Sequence, residues 1–399
     1  MTAGNGKKSF IFSALIFIFF FSYYFVTANL LPHGAGPDWR SNTDVSAFIY
    51  EHGRLAVLPD DEGALHFTVY GGTRAFRPPF SYIVSAASAH VLSFTGIDQF
   101  VLFRTGSALL CALAVALAFY ALSLYLNSYG AGLLGAAAIG LMPQYVFIAS
   151  YSNDDSGAIF SATLMLTVLV RIYRYGANTS NAVLTGLAGG LVILSKMSAW
   201  LLLPFVLVCL VFFFRAPLRD MLRHAVIAAI ALIVAGGWWI GFNMYHYGPD
   251  DPIQRKIAAD VIERHRRLPP DTGVGYAAHG IGYYELILEN YRNFLGETAK
   301  ATIGNLDWLK LRVGPMQYNT YLALFYLALL FYLAGVSGYA LALARGSPLA
   351  GGAGRRTGFE TILLAIITFQ LFMYVWTNIH NDIQVQGKYI IPVFLAVLL

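Results

Sequence analysis

Apolar residues fall in long runs separated by short polar stretches, at residues 10–31, 100–126, 131–150, 157–173, 182–195, 200–214, 225–245, 318–344, 361–377 and 389–399. Most approach the roughly 18 residues that carry a helix across a bilayer. The run at 182–195 is short and almost meets the next, which predicts two helices broken at Lys196-Met197. The last run, at 389–399, holds only about a dozen residues. Two polar segments also show helical periodicity. Residues 44–55 place Val45, Phe48 and Ile49 on one face, with Thr43 as the expected cap. After Asp250-Asp251-Pro252, Ile257, Ala258, Val261 and Ile262 share a face, and Arg255, Lys256, Arg264, Arg266 and Arg267 surround the rest. That pattern fits a surface helix touching anionic headgroups, or a plain solvated loop helix.

Composition narrows the class. The 399 residues are 57% hydrophobic and 12% charged, with mean hydropathy +0.60; soluble domains carry about 25% charged residues. Short alternating barrel strands are absent. No basic stripe interleaved with aromatics points to nucleic acid. Cys111 and Cys209 sit inside apolar runs and read as small buried hydrophobes. Lys7-Lys8 precede a run too long and bulky for a cleaved signal, so residues 10–31 read as a retained first helix with a cytoplasmic start.

Charge placement sets the topology. Residues 79–94 are apolar but begin with two prolines. If they do not cross the membrane, Lys7, Lys8, Arg171, Arg174, Arg215, Arg219, Arg223, Arg345, Arg355 and Arg356 all fall on the cytoplasmic side, as positive-inside placement requires. The segment is therefore expected to be interfacial or re-entrant. Trp238, Trp239 and Tyr245 then lie at the outer end of their span, as an aromatic belt would. The expected fold is an all-α polytopic transmembrane bundle of about ten spans, one domain over residues 1–399. Its extracytoplasmic loops, 32–99 and 246–317, bear interfacial helices.

This topology brings separate polar motifs to one face. Asp38, between Pro37 and Trp39, is placed to take a proton from a hydroxyl or to hold a divalent cation, or else merely caps a turn. Asp154 and Asp155 lie between two spans, where carboxylates are costly; they bind a metal, orient a substrate, or cap the next helix. Arg77, before Pro78-Pro79, suits bidentate phosphate contact or headgroup snorkelling. Lys196 at its helix break is an intramembrane cation, functional by default. Gln386-Gly387-Lys388 offers another cation. Cations suit a phosphate leaving group and a carboxylate an incoming hydroxyl.

These pieces in order resemble the GT-C superfamily of integral membrane glycosyltransferases, which includes protein O-mannosyltransferases and lipid A aminoarabinose transferases, and within it a related bacterial family. The resemblance is carried by Pro37-Asp38-Trp39, Glu51-His52-Gly53-Arg54-Leu55, Pro78-Pro79-Phe80-Ser81-Tyr82, Asn153-Asp154-Asp155, Leu194-Ser195-Lys196, Gly304-Asn305-Leu306-Asp307-Trp308 and Gln386-Gly387-Lys388-Tyr389 with Pro392. It implies that Asp38 is the catalytic first-loop aspartate, that Asp154 or Asp155 is a second acidic position, and that Arg77 and Lys388 contact the donor phosphate. Lys196 and Gln386 join the expected substrate-binding set. Trp39 stands where members often carry an acid, which weakens a metal site at Asp38 with Asp154; magnesium or manganese is the cofactor such a site would take.

The expected function is sugar transfer from a polyprenyl-phosphate carrier to a glycan, lipid or protein acceptor at the extracytoplasmic face of a bacterial plasma membrane. The rival is a lipid or polysaccharide transporter, or a non-catalytic envelope-assembly protein. A transporter of the inverted-repeat kind would show repeated broken helices, and no such repeat is visible.

Overall fold

The computed structural model describes residues 3–213, 217–269, 272, 274–307, 309–344 and 353–399. Arg215, Arg345 and Trp308 lie outside the described residues, as does the Cys209 side chain. In chain order, α1 (Ala3–Leu30) is followed by α2 (Trp39–His52), α3 (Phe80–Leu92), α4 (Gln99–Leu126), α5 (Tyr129–Gly140) and α6 (Pro143–Ser150). Next come α7 (Asp155–Tyr175), α8 (Thr179–Ile193) and α9 (Leu202–Phe213). A π-helical turn joins α10 (Leu218–Leu232) to α11 (Trp238–Tyr247). The second long loop carries α12 (Arg255–His265), α13 (Phe294–Ile303) and a small antiparallel hairpin, β1 (Asn305–Leu306) with β2 (Leu311–Arg312). Then follow α14 (Pro315–Ala344), α15 (Ala353–His380) and α16 (Phe394–Leu398).

Each apolar run in the sequence is helical over most of its length. Five helices among the described residues are long and apolar enough to cross a bilayer: Lys7–Leu30, Gln99–Leu126, Asp155–Tyr175, Leu218–Tyr247 and Arg355–His380. A sixth is added if α5 and α6 count as one span. They are not the single straight helix expected at 131–150, because the axis bends by 65° between them. Pro143 opens α6, where its missing N–H costs nothing, and a proline ring excludes a continuous helix through that point. Residues 80–95, 179–193, 197–208 and 387–398 form shorter apolar helices.

The segment at 79–94 forms α3, shorter than the helices long enough to cross a bilayer, and packs against α4. Gly106 of α4 faces Ser85 of α3, and Ala89 packs with Leu102 and Phe103. As α3 advances, α4 recedes, so α3 folds back beside the first half of α4 and never reaches its far end. The core forms where α1, α4 and α7 meet; Cys111 is fully buried there. Buried tyrosines find backbone acceptors, Tyr24 Oη donating to Gly140 O at 2.7 Å and Tyr145 Oη to Cys111 O at 2.9 Å. Small residues, Gly186 and Gly190 against Ala228, Ala235 and Gly236, let α8 approach α10 and the π turn closely.

Two other expectations need correction. The first-loop helix begins at Trp39 rather than at residue 44. Thr43 is not its cap: its hydroxyl donates to Trp39 O at 2.8 Å from inside the helix, so the polar residues ahead of the apolar stripe are helical too. Trp239 is not part of an exposed aromatic belt. It is 1% exposed and packs edge-on to Trp200, whereas Trp238 and Tyr245 do face outward.

Charged residues occur at both ends of α7. Asp155 opens α7, and Arg171 lies about 24 Å along it at 1.5 Å per residue. At that far end Arg171 Nη1 donates to Tyr120 Oη at 2.8 Å, and Arg356 pairs with Glu360 at 2.7 Å.

Candidate active site

The loop carrying Asp38 is held from several sides. Arg104, 2% exposed on α4, donates to Ala28 O (2.8 Å), Leu31 O (2.6 Å) and Pro32 O (2.8 Å). Those carbonyls lie at and just beyond the end of α1, where helical acceptors are otherwise orphaned and a cation is favoured. Gly36 then turns with φ +100°, and a Cβ there would fall 2.5 Å from the Tyr151 ring, so only glycine fits. Its N–H donates to Asp307 Oδ1 at 3.2 Å. Asp38 itself adopts the left-handed conformation, φ 54°, at the N-terminus of α2. Its side chain caps nothing; it pairs with Arg74 instead. Arg74 stands in a short 3-10 turn fixed by the Thr73 hydroxyl.

Asp154 and Asp155 sit where α6 meets α7. Capping is done by their neighbour: Asn153 Oδ1 accepts from Ser156 N at 2.8 Å, and its amide donates to Ile148 O and Tyr151 O. The acids are therefore free for other partners. Lys196 Nζ lies 3.0 Å from Asp154 Oδ1 and 2.7 Å from Asp155 Oδ1, and Lys388 Nζ lies 3.3 Å from Asp155 Oδ2. All four are buried, at 4 to 8% exposure, with Tyr389 beneath both ammonium groups. Among the described residues Asp154 Oδ2 has no hydrogen-bond partner.

Each lysine is set by its backbone. Lys196 occupies the break between α8 and the turn Met197–Ala199. Trp200 Nε1 donates to Ile193 O and Ser195 O, and Phe80 N donates to Leu194 O, which fixes that break. Lys388 follows Gly387, whose absent Cβ would lie 2.2 Å from Thr302 Cα. Gln386 lies one residue further back, its amide 3.4 Å from Gln384 Oε1.

These groups line one cavity of about 60 Å³. Every residue named from the sequence is on its wall: Asp38, Asp154, Asp155, Arg77, Lys196, Gln386 and Lys388. Sequence reasoning missed Arg74, Asn42, Tyr151 and Gln384, which line it as well. Arg74 had a visible signal, a second arginine three residues before Arg77 in the same short stretch; the others look like ordinary polar residues until the chain folds. His380 is absent from this wall; its Nε2 lies 3.5 Å from Tyr283 Oη.

The electrostatics follow from the pairing. Burial opposes ionisation of Asp154, but the charges of Lys196, Arg74 and Arg77 outweigh it and hold the carboxyl well below the usual carboxylate range. Burial likewise opposes the Lys196 charge, and Asp154 and Asp155 more than offset it, raising its affinity for the proton. Arg74 behaves the same way between Asp154 and Asp38. Three carboxylates face four cations, Arg74, Arg77, Lys196 and Lys388, leaving one positive charge over. Arg77 is that surplus: among the described residues it forms no ion pair.

The metal expectation at Asp38 and Asp154 meets a poor donor set. The partners of these carboxylates are a guanidinium and an ammonium, which repel a second cation. Among the described residues no group of three or more His, Cys, Asp or Glu is placed to hold one. Beside this cavity lies a second, of about 720 Å³, sharing Asp38, Arg74, Arg77 and Gln384 with it and roofed by α12.

Residues 60–397 match the family model described as "Predicted membrane protein (DUF2142)", and the chain belongs to that family. No curated protein matches it. Two crystal structures of ArnT from Cupriavidus metallidurans share its fold. The one bound to undecaprenyl phosphate has a TM-score of 0.58 at 14% identity, over 100% of this chain and 60% of that one. The apo form has a TM-score of 0.51 at 16% identity, over 100% of this chain and 59% of that one. The chain thus spans about 60% of the length of the structures it matches. It is a multi-pass helical membrane protein of GT-C-like fold.

Proposed function

We propose that this member of the DUF2142 family is a glycosyltransferase that moves a sugar from a polyprenyl-phosphate carrier to an acceptor hydroxyl, at the extracytoplasmic face of a bacterial plasma membrane. The observation that carries this reading is the surplus cation. A buried cavity holds its own carboxylates neutralised and keeps Arg77 uncommitted, which suits an incoming phosphate. The likeness to a structure bound to undecaprenyl phosphate supports the lipid class. Gathering of the polar groups at one end of the bundle, rather than along a path through it, favours an enzyme over a transporter.

In this reading Asp38 takes the proton of the acceptor hydroxyl as that oxygen attacks the anomeric carbon. The bond from that carbon to the phosphate oxygen breaks, and the phosphate departs with the electron pair. Arg77 and Arg74 stabilise the charge that develops on it. Lys196 and Lys388 serve chiefly to neutralise Asp154 and Asp155, a change from the direct phosphate contact expected of Lys388. The open oxygen of Asp154 accepts a hydroxyl of the bound sugar. No step requires a resident metal.

The test is Asp38→Asn, assayed for sugar transfer from the lipid that co-purifies with the chain and is identified by mass spectrometry. Loss of about 10² to 10⁴ in turnover is expected; near-normal turnover at normal expression refutes the role. Orientation is tested separately. Cysteine at position 256, where the Lys256 side chain is 66% exposed, should label from outside intact cells. Cysteine at position 175, where Tyr175 is 45% exposed at the other end of α7, should not.

A further inference from the structure

Residues 304–307, one of the ordered sequence motifs, take no part in the reaction above, yet their end reaches the Asp38 loop. Leu306 of β1 pairs with Leu311 of β2, which leaves Asp307 as the first residue of the turn that closes the hairpin. Lys310 N donates to Asp307 O at 3.2 Å across that turn, and aspartate suits its first position. The Asp307 carboxylate has a different task. Its Oδ1 accepts the Gly36 N–H at 3.2 Å, across 271 positions of chain. Asp307 lines neither the small cavity nor the chamber beside it.

The hairpin stands on a fixed base. Val313 N donates to Gly304 O at 3.1 Å, and β1 packs on α6 with Asn305 buried. The helix before it, α13, is anchored on α15. Phe294 stacks on Tyr374 with ring centroids 5.8 Å apart, and Thr298 Oγ1 shares a hydrogen bond with Tyr374 Oη at 3.0 Å. Thr302 of α13 lies so close to Gly387 that no side chain fits between them. One module therefore braces two loops of the site, the one carrying Lys388 and the one carrying Asp38.

Asp38 needs such bracing. Its φ of 54° is uncommon for a residue with a side chain and persists where the surroundings over-determine it. On the helix side, Asn42 N donates to Asp38 O at 3.0 Å, and Tyr82 Oη donates to Asn42 Oδ1 at 3.0 Å. On the loop side, Gly36 is held between the Tyr151 ring and Asp307. Without the Asp307 oxygen, the Gly36 N–H loses its acceptor and the turn is free to shift. We propose that Asp307 is a positioning residue for Asp38: its Oδ1 fixes the Gly36 N–H, and with it the left-handed turn that aims the Asp38 carboxylate at the acceptor hydroxyl. The inference rests on the reading of Asp38 as the base in the proposed transfer. An acceptor atom rather than a charge performs this task, so asparagine can stand in for Asp307.

The experiment compares Asp307→Ala with Asp307→Asn in the full chain, in phosphatidylcholine nanodiscs. Amide hydrogen exchange on peptides covering residues 34–42 reports the turn without any substrate. It should quicken about fivefold or more in Asp307→Ala and stay within about twofold of wild type in Asp307→Asn. Sugar transfer, assayed as for Asp38→Asn, should lose about 10- to 100-fold in kcat in Asp307→Ala, the cost of a misplaced reacting group. KM for the lipid donor should stay within about twofold, because Asp307 lines neither cavity. Asp307→Asn should keep about half of the wild-type kcat or more. In the Asp38→Asn background, Asp307→Ala should cost less than about twofold, since no base is left to misplace. Unchanged exchange in Asp307→Ala overturns the proposal. So do an asparagine variant as slow as the alanine one, additive losses with Asp38→Asn, and a fall in Tm with kcat intact. Wild-type protein that transfers no sugar sinks the glycosyltransferase reading instead, and the exchange measurement still decides whether Asp307 fixes the turn.

Discussion

Replacing Lys196 by methionine isolates the buried charge quartet. The side chain is 8% exposed and contacts both acids, at 3.0 and 2.7 Å. After substitution Asp155 keeps Lys388 at 3.3 Å, but Asp154, 4% exposed, keeps no ion pair. Removing one partner of a buried pair costs about 3 to 5 kcal/mol, because the other charge is left uncompensated. With about 2.1 cal/mol/K of unfolding entropy per residue over 399 residues, that amounts to roughly 4 to 6 °C in Tm. The pH dependence gives a sharper signature. In the wild type the Asp154 carboxyl is held below its unfolded value of about 3.9. Its contribution is therefore fully present above that value and lost only as pH falls through the lower native one. Without Lys196 only Arg74 and Arg77 still oppose burial, and the native carboxyl is expected to titrate above the unfolded one. The variant should then regain stability as pH falls from 7 toward 5, while the wild type changes little. Asp154→Asn on the Lys196→Met background should restore at least half of the loss at pH 7. Thermal unfolding in detergent, followed by intrinsic fluorescence from pH 5 to 8, reads all of these. A Lys196→Met protein within about 1 °C of wild type at pH 7, or a double variant no more stable than the single, refutes the account of the quartet.

Other consequences are as direct. Gly387→Ala places a methyl 2.2 Å from Thr302 Cα, so the backbone carrying Lys388 must shift; turnover should fall at least tenfold, and wild-type kinetics would show that this contact is not close. Arg104→Gln leaves carbonyls at the end of α1 without their donors, at about 1 to 3 kcal/mol for each unmet buried group. Its Tm should drop by several degrees, and unchanged melting would mean that water replaces the guanidinium. Because the carboxylates are already matched by cations, transfer should survive excess EDTA; loss on chelation, restored by magnesium or manganese, would contradict the site's charge assignment.

Much of this protein is written in one dimension. A membrane-length apolar run must satisfy its backbone internally, so helices at each of the ten runs follow from composition alone. Positive-inside placement, counted over Arg171, Arg174, Arg355 and Arg356, predicts that α3 does not cross. Chemistry at motif level was also legible, because charged side chains beside hydrocarbon are costly and persist where something requires them. That is why Asp38, Asp154, Asp155, Arg77, Lys196, Gln386 and Lys388 stood out before folding and are found on one wall.

Pairing was decided only in three dimensions. Asp38 could equally have met any arginine; packing of the loop after Thr73 chose Arg74. The capping of α7 fell to Asn153 rather than to the acids beside it, and this freed Asp154 and Asp155 for the lysines. The bend before Pro143 and the start of α2 depended on local hydrogen bonds that periodicity does not encode. The chamber exists because α12, 184 positions beyond Gly71 at its first residue Arg255, folds back over the opening loop. Contacts between residues so far apart in the chain leave no trace in spacing or composition, since each end is satisfied by a partner that only the packed bundle supplies.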